Sequence, residues 1–286
     1  MRINKQIISK KAYYLTIIIL LLAIFFIGNT ALNPVDAVVL KNTTSNYTIK
    51  YFDTSSSVKG DAMKNKNISK YLPKGSLSLR IVNMSKNGSV ILQFGSGNPK
   101  VLIHAGIHGD EAGASIATLK VIEKIKNRKF KGTIYIIPFV IPLDTQKNKR
   151  LWYDPRTLKN VDPNRIANKK NTPGYKILEF AKKNKVTHII EVHTGGFISH
   201  RKNGLIWANT YPVKNERTWL KYIKKKANPY IGYGNAFSGM VRGVAKSTGI
   251  VAITLEVERD KKPFQNWIYV ELKLLTCALN FFHIIK

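Results

Sequence analysis

A histidine and a glutamate three positions apart give the first indication of chemistry in this sequence. His108 and Glu111 follow a strand pattern over Val101–Ala105, and a helix is predicted next, over about residues 111–127. A turn at this point can aim an imidazole nitrogen and a carboxylate oxygen at one metal ion. The pair alone is a weak signal, because a surface histidine beside a helix-opening acid has the same spacing.

Two further strand patterns carry polar side chains. The pattern that begins at Ile189 ends in His193 and then in glycines, so this imidazole emerges at a strand end and can provide a third ligand. Glu256 lies inside the apolar strand pattern Ala252–Val257. Burial of an unpaired carboxylate is costly, so Glu256 is predicted to have a partner or a chemical role.

The order of these segments resembles that of a known enzyme family. Between the His108 turn and His193 lies a polar turn, Asp162–Arg165, with a carboxylate, an amide and a guanidinium. Together with the Glu256 strand, the series is similar to the zinc carboxypeptidases, the carboxypeptidase A-like metallopeptidases. It is also similar to their relatives, the murein-peptide amidases and the succinylglutamate desuccinylase/aspartoacylase group. The resemblance spans about residues 77–286.

The resemblance implies one Zn²⁺ ion per chain. The family's His-x-x-Glu turn and its third zinc histidine at a strand end correspond to His108, Glu111 and His193. A catalytic zinc keeps a fourth position for water and lowers the pKa of that water. Glu256 corresponds to the family's general base, and Glu258 is the rival because it shares the same strand face.

The resemblance also assigns roles around the metal. Asp162 is expected to hold the outer nitrogen of the first zinc histidine. Asn164 and Arg165 are expected to bind a carboxylate of the substrate, which a planar guanidinium fork suits. For the arginine that stabilises the oxyanion, Arg156 stands in the corresponding position, and Arg150 is the alternative that spacing does not exclude.

One departure from the family pattern concerns the substrate. No tyrosine precedes the catalytic strand, where pancreatic-type enzymes carry one. Arg242 and Lys246 lie near that region instead, and these cations predict an acidic group on the substrate.

The pattern of elements predicts an α/β fold. Predicted strands at about 101–105, 133–139, 187–193, 204–208 and 250–257 alternate with predicted helices, and a last helix covers about 265–285. This alternation predicts a mixed, largely parallel central sheet with helices on both faces, which is the carboxypeptidase-like arrangement. A short hairpin is expected around Asn87-Gly88, before the first of these strands.

The N-terminus reads as an export signal or a membrane anchor. Four basic residues precede an uncharged apolar run from Ala12 to Gly28, so residues 1–28 are predicted to form a hydrophobic helix. The polar segment 29–75 is rich in Asn, Ser, Thr and Lys and is expected to be a tether. Residues 76–286 are expected to form the peptidase or amidase domain. The basic flank of the run predicts that this domain lies outside the cytoplasmic membrane.

The net charge of +31 favours contact with a polyanionic surface. Nucleic acid is not expected, because the lysines are dispersed and no aromatic-interleaved stripe or helix-turn-helix pattern occurs. For an exported protein, a cell wall or membrane is the expected anionic surface.

These observations predict an exported zinc hydrolase. It is expected to cut an amide bond beside a carboxylate, as a carboxypeptidase or amidase of cell-wall peptides. The alternative is a deacylase of N-acyl amino acids, like the succinylglutamate desuccinylase/aspartoacylase group. A non-catalytic wall-binding protein is the third hypothesis, and it would require a broken site.

Overall fold

The computed structural model describes residues 46–195, 202–258 and 263–286. The predicted hydrophobic helix over residues 1–28 lies outside these ranges. Within them, no helix has the length and apolar character needed to cross a membrane.

Within the described residues, eight strands form the main sheet and two short strands form a separate hairpin. The main-sheet strands are β1 (Tyr47–Asp53), β2 (Ser89–Phe94), β3 (Lys100–Ala105), β4 (Thr133–Ile137), β7 (His188–Gly195), β8 (Leu205–Ala208), β9 (Tyr230–Tyr233) and β10 (Val251–Glu258). They lie in the order β1-β2-β4-β3-β7-β10-β8-β9. The hairpin pairs β5 (Trp152–Asp154) with β6 (Lys159–Val161).

The helices of the described residues lie between these strands along the chain or after the last of them. They are α1 (Lys66–Tyr71), α2 (Ser76–Ser85), α3 (Ala112–Ile125), α4 (Pro142–Lys147), α5 (Pro173–Lys183), α6 (Lys214–Ala227), α7 (Val241–Ser247) and α8 (Phe264–Asn280).

The four central strands, β4, β3, β7 and β10, run parallel and are covered on both faces. Ile103 and Ile190 belong to the apolar cluster on one face, together with side chains of α3, α6 and α8. Leu102 and Ile189 belong to the cluster on the other face, with side chains of α5 and α7. Burial on both faces explains why these strands read as continuous apolar runs. The predicted fold, a mixed and largely parallel sheet between two layers of helices, is confirmed.

Two rows of polar side chains cross the central strands on the face that α5 and α7 cover. His104, Glu191 and Thr254 are register partners in the first row. His193 and Glu256 are partners in the next row, nearer the carboxyl ends of the strands. Side chains two residues apart on a strand share a face, so both rows belong to one surface of the sheet.

The folded domain begins earlier than the composition predicted. The expected tether over residues 29–75 includes Tyr47–Asp53, which forms β1 and pairs antiparallel with β2 at the sheet edge. Ile49 is buried there. Apolar side chains among the polar residues of this segment were enough to cover the edge of β2, so the boundary at residue 76 is wrong.

The predicted hairpin around Asn87-Gly88 is also wrong. The segment before it, Ser76–Ser85, forms the helix α2. Leu77 and Ile81 are both buried, and a spacing of four places them on one face of a helix.

Candidate metal centre

The loop between β3 and α3 carries two of the predicted ligands on a closely packed backbone. Gly106 has a φ of +68°, which favours glycine. A Cβ atom on Gly109 would lie 2.0 Å from the backbone of Asp144, so glycine is required here as well. These approaches fix the position of His108, and Glu111 is the residue immediately before α3.

The structure brings His108, Glu111 and His193 together. Nδ1 of His108 lies 2.9 Å from Oε1 of Glu111, and Nδ1 of His193 lies 2.8 Å from Oε2. One ligand atom from each residue lies within 4.8 Å of the other two, and all three side chains are buried. The cluster can therefore hold a metal ion.

The donor set and its spacing fit zinc. Two imidazole nitrogens and one carboxylate oxygen form a set that catalytic zinc sites use. A tetrahedral ion with bonds of about 2.0–2.1 Å separates its ligand atoms by about 3.3 Å. The three ligand atoms lie within 4.8 Å of one another, so modest side-chain shifts would bring them to this spacing.

Asp162 lies where it was expected, on the outer nitrogen of His108. Its Oδ1 atom is 2.9 Å from Nε2 of His108, which leaves Nδ1 directed at the cluster. Arg150 donates from Nη2 to Oδ2 of Asp162 at 3.2 Å and from Nη1 to Oε1 of Glu111 at 3.0 Å. One arginine therefore joins a candidate ligand to the residue that supports another.

The Glu111 carboxylate and the two imidazoles stabilise one another's charged forms. Burial alone would raise the pKa of Glu111, but His193 and His108 hold it well below its usual range. Burial would lower the pKa of both imidazoles, but the Glu111 carboxylate raises that of His108 and raises that of His193 to about 10. A buried carboxylate that attracts two cations this strongly also attracts a divalent metal ion.

Glu256 lies beside the cluster on the neighbouring strand. It is the register partner of His193, and an added Cβ on Gly195 would lie 2.2 Å from its Oε1 atom. Burial raises the pKa of Glu256 to about 7, although His193 lowers it. Glu258, the rival, is paired with Gly195 two residues further along the strand. A carboxyl group with a pKa near 7 accepts and releases protons readily at neutral pH.

Asn164 is fully buried in the polar turn beside the cluster. Its Oδ1 atom accepts from the backbone N–H of Val241 at 3.0 Å, and its Nδ2 atom lies 3.4 Å from Nε2 of His193. A metal ion on Nδ1 of His193 requires the proton to be on Nε2. In that state Nε2 cannot accept from Asn164, so the amide hydrogens remain for another acceptor.

Arg165 keeps its guanidinium accessible at the end of the same turn. Its side chain is 33% exposed, and Nη1 donates to the backbone carbonyl of Asn164 at 3.0 Å. The guanidinium also lies over the ring of Phe237, 4.6 Å from its centroid. This position suits the predicted contact with a substrate carboxylate.

Arg156 is not in the predicted position. Its Nη2 atom lies 2.6 Å from Oδ2 of Asp154, and among the described residues its side chain makes no hydrogen bond to the three ligands. The turn after β5 folds this guanidinium back onto its own hairpin. Arg150, the alternative, contacts the cluster instead.

Arg242 lies in the wall of the site. Its residue is only 3% exposed, and its Nη1 atom donates to the carbonyl of Gly234 at 3.2 Å. Because it lies in the first turn of α7, its backbone N–H points to the sheet and donates to Glu191. Its contact with a substrate stays a prediction.

Glu191 is a buried carboxylate that the strand pattern did not single out. It accepts from the hydroxyl of Thr254, and Nε2 of His104 lies 3.7 Å away. Burial alone would raise its pKa, but His104 and His193 bring it down to about 2. The signal was present, because Glu191 interrupts an apolar strand in the same way as Glu256.

The sheet and the cluster at its strand ends have the arrangement of the zinc carboxypeptidase-like superfamily. Residues 97–278 match the model of the succinylglutamate desuccinylase/aspartoacylase catalytic domain. The chain belongs to this family, as the resemblance of its motifs implied.

Solved structures with the same fold include a succinylglutamate desuccinylase/aspartoacylase and a cell shape determinant protein. A succinylglutamate desuccinylase/aspartoacylase from Rhodobacter sphaeroides is 18% identical, with a TM-score of 0.52, and 70% of this chain covers 60% of that one. The cell shape determinant protein Csd4 from Helicobacter pylori is 17% identical, with a TM-score of 0.55 and coverage of 69% and 55%. A structure of Csd4 with a bound tripeptide is 16% identical, with a TM-score of 0.52 and coverage of 69% and 56%.

The chain thus spans less than two thirds of the length of these relatives. No curated protein sequence matches it significantly.

Proposed function

We propose that this protein is a zinc-dependent amide hydrolase that cuts wall peptides beside a free carboxylate, outside the cytoplasmic membrane. The observation that carries the proposal is the buried His108–Glu111–His193 cluster with the Glu256 carboxylate in register beside it. Three ligands, one proton-accepting group and one accessible arginine supply the parts that amide hydrolysis requires.

Zinc held by the three residues supplies Lewis acidity, which polarises a carbonyl and makes water more acidic. Glu256 takes the proton from the attacking water onto its carboxylate and passes it to the nitrogen of the leaving amine. Its pKa near 7 suits both transfers. Glu256 is partly exposed, so a substrate can reach this carboxylate.

Arg150 is the proposed donor to the oxygen that gains negative charge. Its two anchors, Glu111 and Asp162, hold the guanidinium at the rim of the cluster, and its side chain is 41% exposed. A donor fixed in advance is worth about 10²–10³ in rate.

Arg165 and Asn164 are proposed to bind the substrate carboxylate. Arg165 offers a planar fork of N–H donors at an accessible position. The amide hydrogens of Asn164 become available once Nε2 of His193 carries a proton. Together they would bind a carboxylate next to the scissile amide.

The wall peptide is proposed from the sequence and from the relatives. The basic and apolar N-terminus supports export, and a strongly cationic domain supports work on a polyanionic wall. Csd4, which determines cell shape, binds a tripeptide on the same fold. The alternative, deacylation of an N-acyl amino acid, is supported by the family's own description.

One comparison of substrates tests the proposal. The value of kcat/KM is measured for one wall peptide with its acidic group free and with it amidated, beside an N-acyl amino acid. Wild type should prefer the free acid by roughly 10-fold to 100-fold, because an unmatched charged donor is costly. Arg165→Ala should lose this preference, whereas Arg156→Ala should keep it. Equal discrimination in all three proteins would refute the role of Arg165, and faster cleavage of the N-acyl amino acid would favour the deacylase.

A further inference from the structure

Two segments without charged residues of their own contribute an exposed aromatic surface to this strongly basic protein. Residues 203–213 and 227–241 contain no Asp, Glu, Lys or Arg, although the chain has 47 basic and 16 acidic residues. Most exposed aromatic side chains of the described residues fall in these two segments, among them Trp207, Tyr230 and Phe237. These three side chains and the uncharged residues around them are here named the neutral aromatic surface.

The register places this surface beside the candidate base. Leu205 is the partner of both Glu256 and Tyr230, and Trp207 is the partner of both Thr254 and Gly232. Paired residues in adjacent strands point to the same face of a sheet. Trp207 and Tyr230 therefore lie on the face that carries Glu256, one and two strands further toward the sheet edge.

The indole ring of Trp207 packs on the backbone of Gly232. An added Cβ on Gly232 would approach Cζ3 and Cε3 of the indole at 2.6 and 2.7 Å. The ring therefore covers this backbone, and the residue is 38% exposed although β8 lies between two other strands. An aromatic ring that packs on backbone from one side presents a flat, accessible face on the other.

Phe237 connects the surface to Arg165, which is proposed to bind the substrate carboxylate. The guanidinium of Arg165 lies 4.6 Å from the centroid of its ring, and Phe237 itself is 68% exposed. Neutral polar groups lie between the aromatic residues, since Thr210 donates its hydroxyl hydrogen to Oδ1 of Asn235 at 2.8 Å. The surface thus combines flat rings with amide and hydroxyl groups and extends to the substrate turn.

We propose that the neutral aromatic surface binds an uncharged sugar ring that is attached to the peptide substrate. Sugar rings present a C–H face that stacks on aromatic rings and hydroxyl groups that pair with amides and hydroxyls. The two segments supply no Lys or Arg of their own, and the cations that reach them from elsewhere, Lys224 and Arg242 among them, are bound to backbone carbonyls, so a neutral ligand suits the surface better than an anionic one. This inference rests on the proposed function and names the glycan-linked peptide as its preferred substrate.

The test compares one wall peptide in free form and linked to its N-acetylated disaccharide. Wild type should have a kcat/KM roughly 10-fold higher on the linked peptide, as expected for one aromatic stacking contact. Trp207→Ala should lose this preference and cleave the free peptide within about 2-fold of wild type. Tyr269→Ala removes an exposed aromatic residue of α8 that lies outside the surface and should keep the preference. An equal loss on both substrates, or no preference in wild type, would overturn the inference and assign the surface to the peptide.

A binding measurement keeps the inference separate from the proposed function. The neutral disaccharide N,N′-diacetylchitobiose is titrated against the full chain, and the heat of binding is measured by isothermal titration calorimetry. Saturable binding in wild type and Tyr269→Ala, but not in Trp207→Ala, would support the sugar site even if no wall peptide is cleaved. Absence of saturable binding in wild type would refute it even if wall peptides are cleaved.

Discussion

At the scale of one residue, the surroundings of Glu256 raise the pKa of an ordinary carboxyl group to the range of a general base. The residue is partly exposed, but its carboxylate lies beside Gly195 and the cluster, and desolvation there brings its pKa to about 7. Glu258 shares the strand face but has no imidazole as its register partner, since it pairs with Gly195. Position in the register, and not residue type, separates the two acids.

Glu256→Gln should retain zinc and fold but reduce kcat by about 10³, because an amide keeps the shape and cannot accept the proton. Glu258→Gln is the matched control and should stay within about 10-fold of wild type. Metal content, circular dichroism and kcat are compared for the three proteins. If Glu258→Gln has the larger effect on kcat, the assignment of the base is reversed.

Arg150→Ala should lower kcat by about 10²–10³, because the fixed donor at the rim of the cluster is lost. Arg156→Ala should leave kcat nearly unchanged, since that guanidinium binds Asp154. Steady-state kinetics at saturating substrate separate the two arginines. A large loss in Arg156→Ala alone would restore the assignment that the family resemblance gave.

The ligands were predictable from the sequence, and the arginine was not. His108, Glu111 and His193 belong to short local motifs at strand ends, where the turn itself sets the direction of the side chain. The position of Arg150 depends on the packing of its loop against Gly109, whose N–H donates to the carbonyl of Lys149. Spacing along the chain does not report such a contact.

At the scale of elements, the row of His104, Glu191 and Thr254 connects the site to the fold. Glu191 on β7 accepts from Thr254 on β10 and from the first turn of α7. One carboxylate therefore holds two strands and a helix in register directly below His193 and Glu256.

Thr254→Val should lower the free energy of unfolding by about 1–3 kcal/mol, because the isosteric change leaves a buried carboxylate without one donor. Thr210→Val removes a surface hydrogen bond to Asn235 and should change it by less than about 0.5 kcal/mol. Urea denaturation of the two variants and wild type gives both values. Equal stability of Thr254→Val and wild type would show that Glu191 does not need this hydroxyl.

Elements with strong apolar periodicity were predictable, and those stabilised by distant partners were not. The predicted strands 101–105 and 250–257 correspond closely to β3 and β10. The residues 78–82 were expected to form the first strand of the hairpin around Asn87-Gly88, but packing of Leu77 and Ile81 selects a helix over Ser76–Ser85. β1 was missed because its place at the edge of β2 is a long-range pairing.

At the scale of the whole molecule, the buried Glu271 on α8 lowers the free energy of unfolding. It is completely buried, and within the described ranges neither carboxylate oxygen has a hydrogen-bond partner. Burial raises its pKa well above the usual value, and the nearby Glu256 raises it further. Burial therefore favours the neutral form of Glu271 in the folded protein over that in the unfolded chain.

The folded state thus binds one more proton than the unfolded state between the two pKa values of Glu271. Its contribution is favourable at low pH, and stability falls as pH rises above about 4.3, the ordinary pKa of glutamate. Glu271→Gln should remove this dependence, so its stability relative to wild type should increase from pH 4 to pH 8. A difference in unfolding free energy that stays constant over this range would contradict the assignment of a raised pKa.

The most direct test of the central claim is the zinc content of the purified chain. Elemental analysis after purification without chelators should give one zinc per chain in wild type and much less in His108→Ala, because the variant lacks one of three ligands. Glu258→Gln should keep the wild-type value. A wild-type protein without zinc, or an undiminished zinc content in His108→Ala, would contradict the assignment of this cluster as the metal centre.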